Sequence, residues 1–224
     1  GSERHFPADK TLLLGNPRGS EVSQADPHKG WALLSKPPGS KLVLVVGGSR
    51  GAEAINAALV NMIPRLADFP DVHFVYVSGK VHYDSISQQV EEHLAKTPDV
   101  RQKLTVLPFL DEMPAVLAAS TLVVSRAGAT MLSELTALGR AAILIPSPYV
   151  TNNHQEKNAA WLAESGAAVM IREQELTSER LYTELKQLFE RPQKLAEMAE
   201  AARRLGRPDA CSKLCQVLAD LARR

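Results

Sequence analysis

Along the chain, short apolar runs alternate with longer stretches in which apolar residues recur at helical spacing. Six runs stand out: KLVLVV (41–46), VHFVYV (72–77), LTVL (104–107), TLVV (121–124), AAILI (141–145) and AAVMI (167–171). Each leads into a stretch of mixed character, GAEAINAALVNMI after the first and SISQQVEEHLAK after the second among them. A strand with one wet face alternates apolar with polar, whereas an unbroken apolar run suits a strand covered by helices on both faces. Runs of this kind alternating with helical stretches predict βα units, and right-handed crossovers distribute the helices over both faces of a parallel sheet. The expected fold class is α/β, a Rossmann-like doubly wound parallel sheet over 41–224.

The flanks carry a different pattern. From Lys194 to the C-terminus the spacing predicts one or two helices interrupted at 206–208, where Gly206 and Pro208 fall. TLLLGNPR (11–18) predicts a strand ending in a turn, and 19–40, with Pro27, Pro37, Pro38 and Gly39, reads as a linker. Gly1-Ser2 in place of an initiator methionine reads as a cleavage scar, so 1–40 is expected to be a scar plus an interdomain or linker segment of a longer protein.

Composition narrows the function classes. The 224 residues are 45% hydrophobic and 23% charged, with no apolar stretch long enough to cross a bilayer. Lys and Arg number 26 against 25 Asp and Glu, a net charge of +1, so there is no basic excess of the kind a nucleic acid demands. Cys211 and Cys215 lie one helical turn apart, with no neighbouring histidine or cysteine to complete a metal site, which suits a reduced, cytoplasmic setting.

In doubly wound sheets, ligands bind beyond the carboxyl ends of the strands, so three loops are expected to carry the function. After the first run comes GGSRGA (47–52). Its glycines let backbone amides approach an anion at a helix start; equally, they serve only a tight turn and close packing. It lacks the Lys-Ser/Thr of a triphosphate loop and the G-x-G-x-x-G spacing, and no acidic residue follows Ser78-Gly79 to bind a dinucleotide ribose. After the fourth run comes SRAGATMLSELTALG (125–139). Gly128 is expected to permit a sharp bend and a helix to begin at Ala129 or Thr130, its free amides aimed at a phosphate. Leu132, Leu135 and Leu138 form the expected core stripe. Glu134 either accepts hydrogen bonds from ribose hydroxyls or complements the helix dipole, and spacing alone favours the second. Arg126 contacts a phosphate or forms a surface ion pair. The third loop, PSPYVTNNHQEKNAA (146–160), gathers His154, Gln155 and Asn158 at a helix start, with Asn153 as a possible cap. The glutamine amide offers both donor and acceptor, as sugar hydroxyls require.

Five blocks, GNPR (15–18), GGSRGAEAIN (47–56), FLDEM (109–113), SRAGATMLSEL (125–135) and PSPYVTNNHQEKNA (146–159), together resemble one family in order and spacing. They are similar to the glycosyltransferases with two Rossmann-like domains (GT-B), and within these to the peptidoglycan N-acetylglucosaminyltransferases. The resemblance begins at that family's interdomain region and covers almost the whole chain. It implies the donor-binding C-terminal half of a hexosyltransferase that moves N-acetylglucosamine from UDP-N-acetylglucosamine, with inversion, to the muramyl C4 hydroxyl of a polyprenyl-pyrophosphate acceptor (lipid I to lipid II). The acceptor site, the candidate base and the main membrane-associating surface then belong to the other half. By that resemblance this half holds no catalytic residue and is inactive alone, needs neither metal nor cofactor, and works at the cytoplasmic face of the bacterial cell membrane as a peripheral protein. The resemblance implies that backbone groups at Phe109 and Leu110 read uracil and that Glu134 binds ribose. It places Gly48, Ser49 and the helix start at Gly128, Ala129 and Thr130 on the diphosphate, with Arg126 lining the nucleotide pocket. It sets Gln155 on the sugar hydroxyls with His154 beside it, and adds Asn16 and Arg18 to the donor site. The chain departs from the family at Arg50, commonly Gln, at Glu53, commonly Arg, and at Arg18, which follows proline directly. A related lipid glycosyltransferase or an epimerase, and a docking-only cell-wall module, are the alternatives.

Overall fold

The computed structural model describes residues 6–48 and 52–223. The six apolar runs form one parallel sheet: β1 Lys41–Val46, β2 Val72–Val77, β3 Leu104–Leu107, β4 Leu122–Ser125, β5 Ala141–Leu144 and β6 Ala168–Met170, in spatial order β3-β2-β1-β4-β5-β6. Between them run α3 (Glu53–Met62), α4 (Tyr83–Lys96), α5 (Met113–Ala119), α6 (Ala129–Leu138) and α7 (His154–Glu164), and α8 (Ser178–Glu190) follows β6. The chain winds outward from β1 to β3, then returns past β1 to β4. Val46, the last residue of β1, pairs with Val77 on one side and Ser125 on the other, so the carboxyl ends stand level where the winding reverses. Loops leaving β1 and β4 therefore diverge and leave a crevice between them.

Both faces of the sheet are covered, which explains the unbroken apolar runs. Along β1, Val43 and Val45 join a core with Ile55 and Leu59 of α3 and Leu181 and Leu185 of α8. Leu42, Leu44 and Val46 point the other way, into a core with Val116 and Leu117 of α5, Leu132 and Leu135 of α6, and Leu162 of α7. Leu138 packs partly buried against the same core. Each fully buried side chain of this size contributes about 1.5–3 kcal/mol relative to exposure. The sheet and its two cores thus hold the crevice without help from the loops.

The stretch before the sheet differs from its sequence reading. No strand forms at 11–18, where α1 (Pro17–Val22) begins instead and runs into the expected linker, which also contains α2 (Pro27–Leu33). In each, a side chain caps the helix and proline takes its first position: Asn16 accepts from the Arg18 N–H at 2.9 Å, and Asp26 from the His28 N–H at 2.8 Å. Proline fits there because the missing N–H would have no helical partner anyway. Gly30 lets α2 lie against α5, since a Cβ at this position would stand 2.3 Å from the Ala115 carbonyl oxygen. At the other end, α9 (Pro192–Leu205) and α10 (Ala210–Ala222) are the two helices expected there, separated at Gly206.

Candidate functional site

A cleft of about 890 Å³ opens at the carboxyl ends of β1 and β4, a volume in the range of small-ligand sites. Gly48, Arg126, Gly128, Thr130, Glu134 and Gln155 line it. Ala129 begins α6 beside them, and Arg18 reaches in from α1 through Glu134. Ser49 and Arg50 lie outside the described residues. Phe109, Leu110 and His154, like Ala129, Arg18 and Asn16, are not among the lining. Phe109 is exposed, with the Lys80 ammonium 4.9 Å from its ring centroid, Leu110 packs partly buried against the second core, and His154 is exposed at the start of α7.

Two helix starts face the crevice with amides that no side chain among the described residues caps. The first helical bond of α6 runs from the Leu132 N–H to the Gly128 carbonyl, so the amides of Ala129, Thr130 and Met131 precede the ladder, and no side chain caps this end. In α3 the first bond runs from the Asn56 N–H to the Ala52 carbonyl, again without a side-chain cap. Each such end carries roughly half a positive charge and can accept an anion. The glycines serve these ends differently from the sequence expectation. Gly128 has φ −70° and ψ 144°, extended backbone open to any residue, so no special bend requires it. A Cβ there would meet nothing within 4 Å and would project into the open cleft that Gly128 lines. Gly48, at φ +91°, does need glycine.

Glu134, in the second turn of α6, is only 5% exposed. Its Oε1 accepts from Arg18 Nε at 2.7 Å, and Arg18 Nη1 donates to Glu21 Oε2 at 2.6 Å. Glu134, ahead of Glu21, holds the Arg18 guanidinium above its ordinary pKa, so the cation stays charged. Arg18 thereby orients a carboxylate of the cleft, and Asn16 caps the helix that carries Arg18. Glu134 Oε2 makes no hydrogen bond among the described residues and is left to accept from the cleft.

Arg126 is no surface ion pair. Its side chain is 16% exposed, its Nη1 donates to the Ile145 carbonyl at 3.2 Å, and its Nη2 pairs with Glu173, itself 13% exposed. Gln155 closes the neighbouring loop: its Oε1 accepts from the Ser147 N–H at 3.0 Å, and its amide NH₂ has no partner among the described residues. Asn158 donates to the Ala127 carbonyl at 3.1 Å and so ties α7 to the β4–α6 turn. Asn153 does not cap α7. Its backbone, like that of Asn152, is left-handed, and its side chain donates to Glu156 instead. His154 Nδ1 donates to the Thr151 carbonyl at 2.9 Å, a local contact that fixes the helix start.

The sequence reading missed Glu53, His82, Tyr149 and Glu173, which also line the cleft. Glu173 follows the last apolar run by two positions, so the rule that strand-end loops carry function points to it. The assembled cleft can hold an anion against two helix starts, accept hydroxyl hydrogen bonds at Glu134 and donate them from Gln155.

The pattern of the glycosyltransferase family 28 C-terminal domain matches residues 42–214. A Halalkalibacterium halodurans protein named UDP-N-acetylglucosamine--N-acetylmuramyl-(pentapeptide) pyrophosphoryl-undecaprenol N-acetylglucosamine transferase is 44% identical over 222 residues, 99% of this chain and 60% of the relative. The protein of the same name from an Exiguobacterium species is 45% identical, over 99% of this chain and 59% of its own length. The chain thus spans about 60% of the length of these relatives. Among solved structures, Acinetobacter baumannii MurG superposes with a TM-score of 0.74 at 26% identity, covering 96% of this chain and 57% of that one. A UDP-GlcNAc 2-epimerase from Neisseria meningitidis, bound to UDP-GlcNAc, has a TM-score of 0.67 at 14% identity, over 97% and 57% of the two chains, and shares the fold. The family pattern begins within β1 and ends within α10, enclosing the whole sheet and both helix starts at the cleft, and the chain belongs to the glycosyltransferase family 28 C-terminal domain family.

Proposed function

We propose that this chain is the donor-binding half of an inverting N-acetylglucosaminyltransferase of peptidoglycan synthesis, and that its cleft holds UDP-N-acetylglucosamine. The observation carrying this reading is the convergence of two uncapped helix starts and a buried, Arg18-held carboxylate at one crevice. A diphosphate against the amides of α3 and α6 sets the ribose toward Glu134 Oε2 and the sugar toward the Gln155 amide. The Phe109 and Leu110 N–H groups make no backbone hydrogen bond among the described residues, which suits their proposed contact with uracil once the donor is bound.

In the proposed reaction the acceptor hydroxyl attacks the anomeric carbon from the face opposite the diphosphate. The bond from that carbon to the phosphate oxygen breaks, and negative charge gathers on the departing UDP. Oriented amides stabilise such charge without reorganising as it develops. The base that takes the hydroxyl proton is assigned to the partner half, as are the lipid-linked acceptor and the cytoplasmic membrane surface. No helix among the described residues is long and apolar enough to cross a membrane.

Titration of the chain with UDP, UDP-N-acetylglucosamine and UDP-galactose tests the reading. The expected order places UDP-N-acetylglucosamine above UDP-galactose, with no sugar transfer by the chain alone. A chain that binds none of the three is a docking module, and sustained transfer to the lipid acceptor would refute the division of labour.

A further inference from the structure

Arg126 is the one Arg or Lys side chain among the described residues that lines the cleft, and it stands beside the bare amides of α6. An unanchored arginine is a poor ligand for a diphosphate, because binding must remove the rotamer freedom of its long side chain. Here that freedom is already gone. Nη1 is fixed on the Ile145 carbonyl just beyond β5, and Nη2 on the Glu173 carboxylate just beyond β6. One hydrogen bond, to the Ile145 carbonyl, and one ion pair, to Glu173, hold the guanidinium from two different strand ends, and the buried Glu173 oxygen has no other partner among the described residues. The pairing is selective on both sides. Among the described residues Glu173 has no other cationic partner and Arg126 no other carboxylate, while the adjacent Arg172 pairs with Glu156 and Glu175.

We infer that Glu173 is a positioning residue of the donor site, acting through Arg126: its carboxylate aims the guanidinium at the diphosphate of the nucleotide. The inference rests on the function proposed above. Because Glu173 itself lines the cleft, two rival roles exist. A carboxylate that accepts directly from the sugar would act independently of Arg126. One that merely blocks Arg126 would weaken binding, and its removal would tighten it.

A double-mutant cycle on UDP affinity separates these roles, with binding measured calorimetrically on the unaltered chain, Glu173→Gln, Arg126→Ala and the double variant. Glu173→Gln keeps the volume and one oxygen acceptor, and thermal unfolding of each variant verifies folding. If Glu173 works through Arg126, each single change weakens UDP about tenfold and the double variant is no weaker than Arg126→Ala alone. Glu173→Asp, which restores the charge, recovers part of the loss. Multiplying losses, or tighter UDP binding by Glu173→Gln, would overturn the inference while leaving the proposed function intact. An unaltered chain with no affinity for UDP would remove both.

Discussion

The two ends of the same sheet use polar groups in opposite ways. At the amino ends, polar atoms close on one another: His73 Nε2 lies 2.8 Å from Thr105 Oγ1, and the Leu42 N–H donates to Thr121 Oγ1 at 3.2 Å. Lys103 Nζ donates to the Phe69 and Pro70 carbonyls at 2.9 and 2.7 Å. At the carboxyl ends, charges pair around an open volume, Arg18 with Glu134 and Arg126 with Glu173, while helix amides stay bare. Identical strands supply both ends. At one end polar groups mostly seal one another, whereas the other fixes its charges and leaves donors unmet, the arrangement on which the proposed donor site rests.

The largest expected effect breaks this contrast at the sealed end. His73 is held neutral, its pKa lowered to about 4 by burial first and then by Lys36 and Lys103. An unfolded histidine titrates near 6.5, so between these values the unfolded chain binds the extra proton. Stability should therefore be full above pH 6.5 and fall as the pH drops toward 4, by roughly 3 kcal/mol, since each tenfold change in proton affinity is worth about 1.36 kcal/mol. Denaturant unfolding at pH 7 and pH 4 measures the slope, and His73→Gln should flatten it without changing UDP affinity at pH 7. An unchanged slope in that variant would assign the acid sensitivity elsewhere.

At the open end, Glu134→Gln should weaken UDP on the order of tenfold, because a charge-assisted hydrogen bond is worth about 1.5–3 kcal/mol. Stability should change little, since Arg18 is 35% exposed and keeps Glu21 as a partner. Unaltered UDP affinity would confine Glu134 to anchoring α1. The smallest change sharpens the contrast most. Gly128→Ala alters neither backbone preference nor packing, so stability should shift by no more than about 0.5 kcal/mol. Its methyl group projects into the cleft that Gly128 lines, however, and UDP affinity should still fall measurably in the same titration. Equal loss of stability and affinity would make Gly128 a folding residue instead.

The strands are legible in the sequence because burial on both faces writes itself as unbroken apolar runs, and β1 through β6 fall on the six such runs. Helices α1 and α2 are not, because proline marks a break in a linker as readily as the first turn of a helix. The pairs Asn16-Pro17 and Asp26-Pro27 are cap-and-first-turn signals that carry the information. Site residues divide along a similar line. Gly48 and the uncapped start of α6 follow from strand-then-glycine order, a local pattern. The burial of Glu134, its pairing with Arg18 and the clamp of Glu173 on Arg126 depend on which strand ends become neighbours, which no local spacing records. The chemistry of the Gln155 amide suits a sugar ligand at any loop position; its bond to the Ser147 amide is visible only in the folded loop.

The 116 residues separating Arg18 from Glu134 have a further consequence. The cleft draws on chain from α1 through Glu173, and its two central strand ends, Val46 and Ser125, become adjacent only when β4 inserts beside β1. No shorter contiguous segment contains the site, so it cannot be divided along the chain. A ligand bound there protects the whole domain: at a hundredfold excess over its dissociation constant it should add about 2.7 kcal/mol to global stability. Occupancy of the cleft and integrity of the entire sheet are thereby one equilibrium.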